Sequence, residues 1–269
     1  MTVRSAFGIV RLSLALVCAV ALVARFIWGL GSATFTASNF FAYLTIQSNI
    51  VFVIASIVAG IVALRAREDP EWMTTVRATV LTCTVTAGIV FAFLVQQAGE
   101  RGFRIDVPWS DQVLHFILPV FAVADWVLAP GRGRALWRSL SYTLAFTFGW
   151  GGVTLVRGAV VGWYPYFFLD PDQVSGVAEF ALLSAIAVSV FLVVGAAVIG
   201  GVAIFGGSGT VWGAAIGAYL LFTINRALPI LGVQDFWQRA VVGVLIIGAI
   251  VLDRLLARRQ SRKLVEARD

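Results

Sequence analysis

The chain has 269 residues, of which 60% are hydrophobic and 13% charged, with a mean hydropathy of +0.92. Globular domains run nearer 45–50% apolar and about 25% charged, so a soluble enzyme or nucleic-acid binder is excluded. The net charge of +6 comes almost wholly from arginine placed in short loops and tails, where it orients a membrane protein rather than reading nucleic acid.

The first apolar segment runs from Leu12 to Leu30. Arg25 interrupts the region where a signal peptidase would cut, which argues for an uncleaved helix. Further spans are expected at Tyr43–Leu64, Val76–Gln97, Gln112–Ala129, Trp137–Val161 and from Val177, then at Val211–Leu228 and Ala240–Leu256. With the N-terminus inside, 14 basic residues fall on the inner side and 5 on the outer. The expected fold is therefore all-α: a polytopic bundle of about eight spans in the cell membrane, both termini cytoplasmic. The apolar run Val177–Phe205 is too long for one straight span, and Gly200-Gly201 is its expected break.

Polar groups inside a membrane are costly and mark candidate sites. Thr45, Ser48 and Asn49 share one face of the second span by their i, i+3, i+4 spacing. That face suits either interhelical hydrogen bonding or a polar pocket. His115 is the only histidine, one turn into the fourth span and level with Thr45 in the outer leaflet; Asp111, four residues earlier, is placed to orient it. A histidine beside a hydroxyl is what activation of a nucleophile requires. Asp125, ten residues deeper than His115, is expected to pair with a loop arginine. The aromatic loop Gly162-Trp163-Tyr164-Pro165-Tyr166-Phe167-Phe168-Leu169-Asp170-Pro171 fits an interfacial belt, and equally a fixed lid over an apolar ligand. Cys18 and Cys83 lie in apolar segments, and with one histidine they build no metal site. Gly206-Gly207-Ser208-Gly209 lacks the lysine of a phosphate loop, while Gly209, Gly213 and Gly217 have the spacing of close helix packing.

Three motifs carry a resemblance. Phe41-Ala42-Tyr43-Leu44-Thr45-Ile46-Gln47-Ser48-Asn49, then His115-Phe116-Ile117-Leu118-Pro119 with Asp125-Trp126, then Trp163-Tyr164-Pro165-Tyr166-Phe167-Phe168-Leu169-Asp170 resemble the bacterial Pr6Pr integral membrane proteins. These are similar to the eukaryotic androgen-induced gene 1-like group, and the likeness covers about residues 1–198. It implies an intramembrane hydrolase of fatty-acid esters with Thr45 as nucleophile and His115 as base, Asp111, Ser48 and Asn49 being orienting or pocket residues. Under that reading the partner is a lipid or acyl substrate, and neither a cofactor nor a metal is implied. Residues 199–269 differ. Gly200-Gly201-Val202-Ala203-Ile204-Phe205-Gly206-Gly207-Ser208-Gly209-Thr210-Val211-Trp212-Gly213 and Ile224-Asn225-Arg226-Ala227-Leu228-Pro229-Ile230-Leu231-Gly232-Val233 resemble the end of sugar ABC transporter permeases. That resemblance implies the alternative: a transport or scaffold subunit without catalytic activity, partnered by an ATPase or another permease.

Overall fold

A computed structural model describes residues 2–100, 106–133 and 135–200, all of which except Gly200 fall in one compact unit, Met1–Ile199. The described residues are helical or in turns, with no strand among them. Among the described residues six helices are long and apolar enough to cross a membrane: Val3–Leu30, Leu44–Arg65, Glu71–Gln96, Trp109–Leu128, Arg138–Val161 and Val177–Ile199. The protein is an all-α, multi-pass membrane protein. The expected seventh and eighth spans, the glycine motifs after residue 200 and the break at Gly200-Gly201 lie outside the described residues.

Helix α1 (Val3–Leu30) starts nine residues earlier than apolarity alone predicts. The Thr2 side chain caps it by accepting from the Ser5 amide, and Arg4 and Arg11 extend it because both are buried and paired. A short turn of helix, α2 (Ala37–Phe40), leads into α3 (Leu44–Arg65). The stripe Gly8, Arg11, Ala15, Cys18 and Ala21 of α1 packs on Phe52, Ala55, Ala59 and Gly60 of α3. Small side chains let the two backbones close: a Cβ added at Gly60 would lie 3.0 Å from the Gly8 carbonyl oxygen.

Helix α4 (Glu71–Glu100) runs back through the bundle against α3 and against the fourth and fifth spans. The fourth span is not one helix. It consists of α5 (Trp109–Gln112), a π-helical turn over Val113–Ile117 and α6 (Leu118–Leu128). The cause is Pro119, which has no N–H to donate to the His115 carbonyl and would clash with it in an α-turn. The chain widens instead, the Leu118 amide donating to the Val113 carbonyl. Gly88 of α4 sits against the His115 carbonyl, where any Cβ would collide with the oxygen.

Helices α7 (Arg138–Val161) and α8 (Val177–Gly200) complete the unit, joined by the aromatic loop with its short 3₁₀ turn Phe167–Leu169. Gly162 ends α7 in the left-handed conformation at φ +70°, which suits glycine. The core gathers Cys18, Ala21, Phe52, Ala55, Val80, Leu114 and Leu118 from four of the spans. Val153, Val156 and Val160 point outward from α7, exposed as a lipid-facing surface requires.

Candidate functional site

A chamber of about 660 Å³ is bounded by all six described spans and the aromatic loop. Its wall is mostly apolar, with Phe91 and Val90 of α4, Trp150 of α7 and Phe191 of α8. Its charged and ionisable groups Arg25, Asp111 and His115 meet the chamber with Thr45, and the hydroxyls of Thr86, Thr147 and Ser184 belong to residues lining it from α4, α7 and α8.

Each of these groups is placed by local structure. Thr45 sits in the first turn of α3 and is buried, as are Ser48 and Asn49. Ser48 Oγ and Asn49 Nδ2 both donate back to the Thr45 carbonyl, at 3.0 and 2.9 Å. Thr45 therefore reaches the chamber, whereas Ser48 and Asn49 turn to their own helix, and Asn49 also meets the Cys18 thiol. The π-turn presents His115 to the chamber. Its Nδ1 lies 3.0 Å from the Asp111 carbonyl oxygen, which only accepts, so Nδ1 carries a proton and donates it. The ring stacks on Phe91, with centroids 3.7 Å apart and planes 13° from parallel.

The Asp111 carboxylate serves another residue. Arg25 Nε donates to its Oδ1 at 2.8 Å, while His115 Nδ1 is 3.9 Å away, beyond hydrogen-bond reach. Arg25, which from sequence only interrupts a span, is thus a wall residue whose charge is matched by Asp111, and Trp28 covers its guanidinium at 4.5 Å.

The aromatic loop forms part of the chamber wall. Pro165, Tyr166, Phe168 and Leu169 line it, and Tyr166 packs on Trp150, Tyr43 and Phe168 with centroids 5.5–5.9 Å apart. The Tyr166 phenol faces the Thr45 hydroxyl and the first amides of α3, those of Leu44 and Thr45. Burial pushes its pKa up to about 12, against the pull of those donors. The Trp150 indole donates to the Ala42 carbonyl at 2.9 Å and ties α7 to the start of α3. Sequence reasoning missed Trp150 and Phe91; their only signal is aromatic residues within apolar spans.

The end of the unit that carries the loop between α3 and α4 holds a second polar region. Asp125 pairs with Arg11 at 2.9 Å and Arg77 at 2.6 Å, both on helices. This corrects the expected pairing with a loop arginine: α1 begins earlier than its apolar run and carries Arg11 inside the bundle, and Arg77 lies in α4, just inside the expected span Val76–Gln97. Asp69, in the loop before α4, joins Arg77 to Arg4.

No family model matches the chain, and no solved structure does. The Pr6Pr resemblance of residues 1–198 therefore rests on its three motifs alone. Curated relatives exist over part of the chain. It is 45% identical over 65 residues to the D-allose transport system permease protein AlsC of Escherichia coli, covering 24% of this chain and 20% of the relative. It is 37% identical over 68 residues to the probable ABC transporter permease protein y4mJ of Sinorhizobium fredii (25% and 20%). Against the autoinducer 2 import system permease protein LsrC of Salmonella paratyphi B it is 38% identical over 71 residues (26% and 20%). The chain spans about a fifth of the length of these relatives. They overturn the expected ester hydrolase: the named relatives are permeases of transport systems, and the reading with a threonine nucleophile is set aside. Over about a quarter of its length this multi-pass protein of the cell membrane is homologous to sugar ABC transporter permeases.

Proposed function

We propose that the chain is a non-catalytic membrane subunit of an ABC-type transport system. The observation that carries this is the 37–45% identity to permeases. The matched lengths, 65 to 71 residues, are close to that of the segment 199–269, whose glycine-rich motifs resemble permeases. In this reading residues 199–269 form a permease-like helix pair with a basic tail, both termini are cytoplasmic, and the pair docks on an ATPase subunit. Residues 1–198 form a separate six-span part that supplies the ligand chamber.

The chamber's chemistry supports an apolar or amphipathic ligand over a free sugar. A sugar needs many hydrogen-bonding partners, whereas this wall is mostly apolar, with a few hydroxyls spread over α4, α7 and α8 besides the Arg25, Thr45, Asp111 and His115 group. A ligand with an apolar body would fill the aromatic and aliphatic part and turn its polar end to Arg25, Thr45 and His115. The test is co-purification: the tagged full-length chain, extracted in mild detergent, should bring down an ABC ATPase identified by mass spectrometry. A chain cut after Gly206 should not. Recovery of no ATPase by the full-length chain, or equal recovery by the shortened one, overturns the proposal.

A further inference from the structure

The end of the unit that carries the loop between α3 and α4 buries more positive than negative charge. Arg4, Arg11 and Arg77 are buried and Arg132 is half-buried, facing the carboxylates of Asp69 and Asp125. Every guanidinium nitrogen of Arg4 has an acceptor: Asp69 Oδ1 at 2.7 Å, the Ala66 carbonyl at 2.7 Å and the Pro130 carbonyl at 3.0 Å. Arg77 bridges Asp69 and Asp125. Arg11 is not saturated. Its Nε donates to both oxygens of Asp125 and its Nη1 to the Ala59 carbonyl, but Nη2 is buried and finds no acceptor among the described residues. A buried guanidinium nitrogen without a partner is costly, which sets this one apart from its neighbours.

Arg132 reports the same imbalance from outside the membrane-spanning segments. Burial and then the nearby Arg77 push its pKa below the usual arginine value, and Asp125 and Asp69 do not fully restore it. Its guanidinium lies 4.0 Å from the centre of the Trp126 ring.

A small cavity lies within this region. Its volume is about 40 Å³, and its polar lining comes from Arg11, Arg77, Asp125, Ser56 and Trp126. The Ser56 hydroxyl and Trp126 indole N–H are neutral donors, and both Asp125 oxygens are already held by arginine. One water needs about 10–15 Å³, so the space takes a few waters or a monatomic ion and is small for a phosphate. We propose that this cavity is a binding site for a small monovalent anion of the halide class, held by Arg11, Arg77 and Ser56. The anion is the counter-charge that the cluster of four arginines and two aspartates otherwise lacks.

The test follows thermal unfolding of the full-length chain in detergent, in chloride, bromide or gluconate at equal ionic strength. Chloride and bromide should raise Tm over gluconate by a few degrees, saturably, as a ligand bound only by the folded state does. Ser56→Val, which replaces the hydroxyl and fills part of the cavity, should lose that shift. A wild type whose Tm does not distinguish the anions overturns the proposal, and so does a Ser56→Val chain that keeps the full shift, since the effect is then a general salt effect. Should Ser56→Val fail to fold, crystals of the wild type grown in bromide decide: an anomalous peak beside Arg11 and Ser56 supports the site, and water alone in that cavity refutes it.

Discussion

Replacing Gly88 with alanine tests whether the fourth span depends on the π-turn. Gly88 is buried on α4, and its missing Cβ leaves room for the His115 carbonyl oxygen. Because the obstacle is backbone, no rotamer change relieves it, and the two elements must part by about 1 Å; a gap of 0.5–1 Å forfeits a quarter to a half of each van der Waals contact it opens. Overpacking of this kind costs about 1–3 kcal/mol, and alanine returns about 1 kcal/mol of helix propensity over glycine. The net loss against wild type is about 0–2 kcal/mol, a fall in Tm of up to roughly 8 °C. Against an alanine that meets nothing, which keeps the same propensity gain, it is about 1–3 kcal/mol. The assay is built into the chain: Cys18 and Cys83 are buried, so a maleimide dye reacts with either only as the unit opens. Gly149→Ala in α7 is the control, since nothing lies within 4 Å of its added Cβ. If Gly88→Ala and Gly149→Ala unfold at the same temperature, the close approach at His115 is not what the structure shows.

Other expectations use the same readout. Asp111→Asn leaves Arg25 without its counter-charge; because Arg25 is a quarter exposed, the loss should be about 2 kcal/mol rather than the 3–5 of a fully buried pair, with a matching fall in Tm. Tyr166 has a folded pKa raised from 10.0 to about 12, so its phenol binds a proton more tightly folded than unfolded. Stability should therefore be intact below pH 10 and decline as pH rises from there towards about 12, and Tyr166→Phe should remove part of that slope in a Tm series. A chain cut after Gly206 should still insert with the full-length orientation, shown by reporters at its new C-terminus and after Asp269; a switch to the external side, or failure to insert, would join the two parts into one unit.

Much of the architecture is legible in the sequence because lipid imposes length and apolarity on every span. All six described spans fall where apolar runs predict them, and the helix ends differ where charge is paired internally. Arg4 and Arg11 read as charges ahead of the first span because an unpaired arginine belongs in water; only their partners Asp69 and Asp125, 65 and 114 residues distant, make the longer helix stable. The polar candidates Thr45, Asp111 and His115 are visible as isolated polar residues in apolar runs, and the structure puts all three on one chamber wall. What sequence did not resolve is which atom engages which. That Asp111 turns its carboxylate to Arg25 and its carbonyl to His115 depends on the packing of α1 against the fourth span and on the widened turn beside Pro119. The function read from the motifs also failed, because a threonine and a histidine at equal depth fit a ligand wall as well as a reaction.

The widened turn has one further consequence, in the angular register of the fourth span. A π-turn holds about one residue more than an α-turn, so everything after Ile117 is set back by about 100° around the helix axis relative to an unbroken helix. That offset lets one span serve two directions, with His115 facing the chamber and Asp125 meeting Arg11 and Arg77 towards the other end of the span. Deleting one residue from Val113–Ile117 would restore the unbroken phase and swing Asp125 about a quarter-turn away from its arginines. The fourth span therefore tolerates substitution far better than it tolerates a change of length.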